Sequence, residues 1–328
     1  KYVYKKDAQT YDYLKKVILN NNYNLYPKKN LRNRCKSFFM PSTIYIYNND
    51  LDAIFSGTIF LPSNDTGSFK DVKIFNIKDN KILTAYVNSK SLEKKIQTYN
   101  KFKVYFKMPE IKLTDLSKYI CIEEMIPSKP KNKWNKADYD MVITTIFKNF
   151  ISYYNECSKN KNYSYNTISS MLCQLKKDDI LKFLTAEIEK EIKKELISEP
   201  IPIVQQHGDL WLYNILIGEN NQVYFIDWEH AGEYYLFYDL FWWMQNEALY
   251  NNNYLYLEKY LSGEYDVFFN DIFNAIEYNF NIKFRKDYLY VFILEFLFKR
   301  ILKNTDGIKI SANVLYTKLF QQAKSALI

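Results

Sequence analysis

Histidine, cysteine, glycine and proline are all scarce in this chain, at 2, 4, 7 and 8 of 328 residues. The cysteines, Cys35, Cys121, Cys157 and Cys173, form no CxxC pair and have no histidine near them at ligand spacing. That excludes a Cys/His zinc site, and reduced thiols of a cytoplasmic protein are the simplest reading. No apolar run is long enough to cross a bilayer. The best one, Tyr288–Phe298, contains Glu295 and is about half of the ~20 residues a span needs, so a buried helix is expected there. No signal-peptide pattern opens the sequence, and its first residue is Lys1, as in a chain trimmed or cut from a longer one. Internal repeats are also missing. So is any stripe of arginines and aromatics, and no nucleic-acid partner is expected despite a formal net charge of +8. Those charges are scattered, as on a solvated surface.

What is present suits a folded enzyme-sized chain. Hydrophobic residues make up 48% and charged residues 25%, which argues against global disorder. The 31 tyrosines and 23 phenylalanines can fill a sizeable core. Residues 5–20 have helical spacing. Short β-rich runs then alternate with turn clusters at Ser42–Tyr47, Ala53–Leu61, Asp71–Ile77 and Lys81–Val87. Ser63–Ser68, which holds Gly67, is a loop, and Lys78-Asp79-Asn80 closes a hairpin. A helix is expected over Ser91–Phe102 and a further strand over Tyr119–Met125, with Pro127 and Pro130 as a break after it. The remainder is expected to be mostly helical, including long helices at Asp138–Cys157 and Leu175–Ile197. The fold class is therefore α+β: a strand-rich N-terminal lobe over 1–126 and a mainly helical lobe over 127–328.

The chemistry lies in one stretch: Gln206-His207-Gly208-Asp209-Leu210-Trp211-Leu212-Tyr213-Asn214, then Ile215–Ile217, then Phe225-Ile226-Asp227-Trp228-Glu229. Gly218–Asn221 reads as a four-residue turn between two apolar β runs. Pairing Ile217 with Gln222 places Asn214 opposite Phe225, with Asp227 on the same face two residues on. Asn214 and Asp227 then meet at the open end of the hairpin, and Asp209 lies on the loop entering that end. Two oxygen ligands short of a full cage suit Mg²⁺, which keeps waters and phosphate oxygens. Asp209 is placed to accept or orient the proton of an attacking hydroxyl. These are the parts of a phosphoryl-transfer site. The bland alternative is that Asp209 and Asp227 merely cap turns; the two motifs together, at a separation suited to a hairpin, favour the chemical reading.

HGDxxxxN followed by IDWE resembles the catalytic and metal-binding loops of the aminoglycoside phosphotransferase and choline kinase superfamily. The resemblance implies a bilobed protein-kinase-like fold, ATP and Mg²⁺ as cofactors, and a small-molecule or sugar hydroxyl as acceptor. It makes Asp209 the catalytic base, Asn214 and Asp227 the metal ligands, and His207 a brace for the loop. Tyr238-Asp239-Leu240 matches the family's aromatic-Asp-Leu, which gives Asp239 a bracing role. Gly208 stands where protein kinases carry arginine, and no DFG or APE follows, which favours the small-molecule branch. The Ser63–Lys70 loop with Gly67 would cover the phosphates, and the backbone of Ile122–Ile126, at Glu124 and Ile126, would meet adenine.

One position departs from the pattern. The family expects lysine on the third strand, near Thr84, paired with glutamate on the next helix. Here Lys73 on the preceding strand is the substitute, with Glu93 as its partner, while Lys95 stands near the expected glutamate. The departure keeps a second function open: a nucleotide-binding pseudokinase acting as an interaction module. The acceptor is either an amino alcohol such as choline or ethanolamine, or a sugar or cell-envelope glycan. Trp228, Trp242 and Glu229 are candidate substrate residues, with Trp243, Glu233 and Glu247 nearby in sequence. Core packing competes for the two adjacent tryptophans.

Overall fold

The computed structural model describes residues 2–3, 58–60, 71–302, 309–311, 313–314 and 316–317. The expected helix at 5–20, the strand at Ser42–Tyr47, most of Ala53–Leu61 and the loop with Gly67 lie outside the described residues. The chain divides into two compact units, one of residues 1–143 with 216–226 and one of 144–215 with 227–328.

The first unit is built on a six-stranded sheet of β1 (Tyr2–Val3), β2 (Thr58–Phe60), β3 (Val72–Asn76), β4 (Lys81–Ala85), β5 (Ile111–Asp115) and β6 (Ile120–Glu124), ordered β1-β2-β3-β4-β6-β5. Its strand pairs, among the described residues, are antiparallel. The β3–β4 hairpin closes where its turn residues predict: Asn76 and Asp79 exchange hydrogen bonds of 2.8 and 3.1 Å, and Asn80 takes the left-handed conformation at φ 50°. Helix α1 (Ser89–Phe102) starts at Asn88, whose side chain accepts the Ser91 N–H at 2.9 Å. It buries Leu92, Thr98 and Phe102. The hairpin of β9 (Ile215–Ile217) and β10 (Val223–Phe225) belongs mostly to this unit, through Phe225 N–H to Lys107 C=O and Lys129 N–H to Ile217 C=O, both 2.8 Å.

Helix α2 (Lys136–Lys159) begins on a reciprocal cap, Asn135 N–H to Asp138 at 2.7 Å and Asp138 N–H to Asn135 at 3.0 Å. The unit boundary falls within it. In the second unit a three-stranded sheet of β7 (Ser164–Asn166), β8 (Ile201–Gln206) and β11 (Gly232–Tyr235) is ordered β11-β8-β7. The single helix expected over Leu175–Ile197 is instead three: α3 (Ser169–Leu175), α4 (Lys182–Glu191) and α5 (Lys194–Ser198). The Asp178 side chain accepts the N–H groups of Ile180 and Leu181 at 3.1 Å each, which competes with helix continuation. A second break comes at Ile192 and Lys193, both extended.

Helices α6 (Tyr238–Asn251), α7 (Leu255–Ser262), α8 (Asp266–Ala275) and α9 (Arg285–Phe296) complete the unit. The apolar run that was too short for a membrane forms most of α9, where every residue from Asp287 to Phe296 is buried. None of the described helices is long and apolar enough to cross a membrane. The core is aromatic: Phe237, Phe241, Phe269, Phe273, Tyr288 and Phe292 make ring contacts with one another. Each such ring contributes about 1.5–3 kcal/mol by leaving water, so Phe273→Ala is expected to cost about 3–5 kcal/mol.

Candidate active site

Strand β8 ends at Gln206, and the chain must turn sharply to present Asp209. Gly208 makes the turn at φ +77°. A Cβ there would lie 2.3 Å from the His230 carbonyl oxygen and 2.7 Å from the Tyr234 hydroxyl, so only glycine fits. The turned backbone points its N–H groups at Asp239, in the first turn of α6. The Asp239 carboxylate accepts His207 N–H at 2.7 Å and Gly208 N–H at 2.9 Å. Full burial pushes its pKa up to about 7, against the downward pull of the N–H groups of His207, Gly208 and Leu210. Gln206 ties the same elements together. Its amide donates to the carbonyls of Tyr234 and Tyr235 at 3.2 and 2.7 Å and accepts Asp239 N–H at 3.1 Å.

His207 is 2% exposed. Its Nδ1 accepts the Asp209 N–H at 3.2 Å, and its ring lies 4.5 Å from that of Trp228. It stands behind Asp209 as a support. His230, by contrast, is exposed, with Nε2 at 3.4 Å from Glu229.

The Asp209 carboxylate is shared between two partners. Oδ2 accepts from Asn214 Nδ2 at 3.0 Å, and Oδ1 accepts from Arg300 Nη2 at 3.2 Å. Burial pushes the Asp209 pKa up to about 6; Arg300 and Asn214 pull it down, while the charges of Asp227 and Glu229 push it up. Asn214 ends a short 3₁₀ turn, Leu212–Asn214, and is buried. Its Nδ2 also donates to the Asp209 carbonyl at 2.8 Å, so the carboxamide oxygen remains for another ligand. Asp227 follows β10 in the left-handed region, at φ 64° and ψ 53°.

The hairpin between them differs from the expected register by one residue. Gly218 N–H bonds to Gln222 C=O at 2.8 Å and Asn221 N–H to Gly218 C=O at 3.0 Å, so Gln222 closes on Gly218 rather than on Ile217. Asn221 adopts φ 54°, which absorbs the extra residue.

Oxygen chemistry at this end fits Mg²⁺: a carboxamide whose nitrogen is committed, and a carboxylate close enough to influence Asp209. Among the described residues no group of three or more His, Cys, Asp or Glu side chains is set to hold a metal. Asn214 Oδ1 and the Asp227 carboxylate could hold an ion that keeps waters and phosphate oxygens.

In the first unit Lys73 lies directly across from Thr84 in the β3–β4 register, on the same face. The Thr84 hydroxyl is buried and has no hydrogen-bond partner among the described residues. Glu93 is exposed, and the ion pair formed here is a different one: Lys95 of α1 with Glu123 of β6 at 2.5 Å. The structure thus does not bring Glu93 to Lys73. Near the end of β6, Glu124 and Ile126 line an open hollow of about 260 Å³ with Met125, Pro127, Gly218 and Tyr224. Glu124 N–H donates to Glu110 and Met125 N–H to Asn80, whereas Ile126 N–H makes no hydrogen bond among the described residues. Gly67 lies outside them.

Of the other candidates, Trp228 is buried and Glu229 is exposed. Trp242 is 9% exposed with its indole N–H unpartnered. Trp243 is core, against Phe147 and Tyr256. Sequence reasoning missed Arg300, 91 residues from Asp209, and gave Gln206 no role.

A family model described as "Phosphotransferase enzyme family" matches residues 171–255, which includes the HGDxxxxN and IDWE segments. No curated protein matches. Among solved structures, aminoglycoside phosphotransferase APH(4)-Ia is 12% identical over 80% of this chain and 93% of its own, with a TM-score of 0.50. An amicoumacin kinase is 10% identical over 80% of this chain and 88% of its own, with a TM-score of 0.45. The choline kinase LicA of Streptococcus pneumoniae is 13% identical over 82% and 92%, with a TM-score of 0.39. The first of these carries the fold, which is kinase-like as the motifs implied. The family model thus covers the HGDxxxxN and IDWE segments, and the likeness to the solved phosphotransferase structure is one of fold.

Proposed function

From a phosphotransferase segment set in a kinase-like fold, we propose that this chain transfers the γ-phosphoryl group of ATP to a hydroxyl of a small molecule. The observation that carries the reading is the Asp209–Asn214 contact on a loop held by Asp239. A carboxylate and a carboxamide oriented by the same loop are what in-line transfer needs: one to take a proton, one to hold a cation.

In this reading Asp209 accepts the proton of the acceptor hydroxyl as its oxygen bonds to phosphorus. Burial favours that step, because a carboxylate with a raised pKa is a better proton acceptor. Asn214, through its oxygen, and Asp227 hold Mg²⁺. The ion, when bound, neutralises charge on the phosphates. His207 keeps Asp209 in place. Lys73 meets phosphate oxygens in place of the missing third-strand lysine, supported by its register opposite Thr84. Adenine takes the hollow beside Glu124 and Ile126, where the Ile126 N–H is available to it. The acceptor is an amino alcohol, or a sugar or glycan. The chain works in the cytoplasm, where ATP is supplied.

The test is ATP consumption with Mg²⁺ across choline, ethanolamine, sugars, nucleosides and aminoglycosides. Asp209→Ala is expected to lower kcat by at least about 10³-fold while leaving nucleotide binding within a few-fold. Asp227→Ala is expected to weaken Mg-nucleotide binding itself. Full activity in both variants refutes the assignment. Nucleotide binding without turnover, for wild type and every acceptor, favours the pseudokinase reading, whose support is Thr84 at the lysine position.

A further inference from the structure

The side chain that meets Asp209 from the far end of the chain is a cation. Helix α9 runs into one π-helical turn, Leu297–Ile301, in which Leu302 N–H bonds back to Leu297 C=O at 2.8 Å. Such turns redirect side chains and recur at functional sites. Here the turn carries Arg300, whose guanidinium meets the Asp209 carboxylate and the Trp242 ring. Nη2 lies 3.2 Å from Asp209 Oδ1, and the guanidinium carbon lies 5.4 Å from the centre of the Trp242 ring. Trp242 is one ring of a stack, Tyr238–Trp242 at 6.1 Å, Trp242–Phe296 at 5.1 Å and Phe296–Tyr316 at 4.4 Å. The Trp242 indole N–H and the Gln245 amide oxygen, one helical turn apart in residue number on α6, are both buried and have no hydrogen-bond partner among the described residues.

On the reading of Asp209 as the base, these contacts have a consequence for the acceptor. A quaternary or primary ammonium held near Asp209 would look for two things, a carboxylate and an aromatic face. Arg300 takes both. Its own charge then repels a second cation at close range. Glu229 opposes that repulsion weakly, because its side chain is 62% exposed and screened by water, whereas that of Arg300 is 20% exposed. Guanidinium N–H groups instead suit oxygen acceptors: polyol hydroxyls, carboxylates and phosphates.

We propose that Arg300 is a specificity-determining residue, which reserves the acceptor side of Asp209 for a neutral or acidic polyol of the sugar class and excludes amino alcohols and polyamines. The inference rests on the phosphotransferase reading for its chemistry, but charge preference can be read apart from turnover.

Choline and 3,3-dimethyl-1-butanol have nearly the same shape and differ in charge. Wild type is expected to use the neutral alcohol at least ~10-fold better in kcat/KM, a difference of ~1.4 kcal/mol. Arg300→Gln should shift that ratio at least ~10-fold toward choline, and Arg300→Lys, which keeps the charge, should not. A merely structural role would lower both substrates together. Choline used as well as its neutral isostere by wild type, or an unchanged ratio in Arg300→Gln, overturns the proposal. In parallel, thermal unfolding at fixed ionic strength is followed with glucose, glucuronate or choline. Stabilisation by glucose or glucuronate and not by choline is expected, and the reverse, or no shift from any of them together with no turnover, overturns it too. Loss of the phosphotransferase reading is recognised separately, as absence of Mg-dependent ATP consumption by wild type under any condition.

Discussion

Replacing Gly208 by alanine tests whether backbone geometry sets the position of Asp209. Two costs can be worked out. The left-handed conformation at φ +77° costs alanine about 1–2 kcal/mol that glycine does not incur. The added Cβ would also sit 2.3 Å from the His230 carbonyl oxygen, about 1 Å inside an ordinary van der Waals contact of ~3.4 Å. Neither obstacle is the loose end of a flexible side chain: one is backbone, and the Tyr234 hydroxyl is held to the same carbonyl at 3.0 Å. The loop itself must therefore move by something near 1 Å, and misplacement of a catalytic group by that amount costs about 10²-fold in rate. The expected result is a kcat lowered by about 10²-fold. Chemical denaturation should show a loss of about 1–2 kcal/mol. Gly232→Ala is the control. A Cβ at Gly232 meets nothing closer than 3.5 Å and requires no unusual φ, so its kcat should stay within about two-fold. A Gly208→Ala enzyme with wild-type kcat would refute the argument that this turn aims Asp209.

Stability should also depend on pH through Glu295, buried on α9 with its carboxylate accepting Tyr235 N–H at 3.1 and 3.2 Å. Burial pushes its pKa up to about 8, with Lys299 and the Tyr235 N–H pulling down and Asp239 pushing up. A carboxyl whose folded pKa is raised stabilises the fold below its unfolded pKa, near 4.5, and that contribution is lost as pH rises through about 8. Glu295→Gln keeps an oxygen for Tyr235 N–H and should flatten the fall in denaturation midpoint between pH 5 and pH 9; an unchanged slope places the titration elsewhere. Lys73→Ala should raise KM for ATP at least ~10-fold, whereas Lys95→Ala, which breaks the pair with Glu123, should leave it within about two-fold. The opposite ranking would reassign the phosphate-facing lysine to α1.

The candidate site was legible where its parts are close in sequence. His207, Asp209, Asn214 and Asp227 fall within 21 consecutive residues, and the loop brings the first three into hydrogen-bonding contact. The hairpin's register was off by one because Asn221 takes a left-handed conformation that an Asn-Asn turn permits but does not announce. The break inside 175–197 was hidden for a different reason. Its Lys- and Glu-rich pattern is that of a continuous helix, and at the first break the side chain of Asp178, itself paired with Lys309 at 2.7 Å, diverts the backbone. Arg300 could not be found by spacing at all. Nothing local marks it among 45 lysines and arginines, and its role depends on a π-helical turn that no periodicity encodes.

Asp239 grips the catalytic loop by peptide groups, not by side chains. Such a joint is indifferent to which residues carry the N–H groups, provided they arrive at the right place. A loop fastened in this way counts residues instead of reading them. The side chain of Leu210 takes no part in this joint, whereas one residue inserted between Gln206 and Asp209 would carry both N–H groups out of register with the carboxylate. The main-chain path of this loop is thus vulnerable to insertions and deletions more than to substitutions, with Gly208 as the exception.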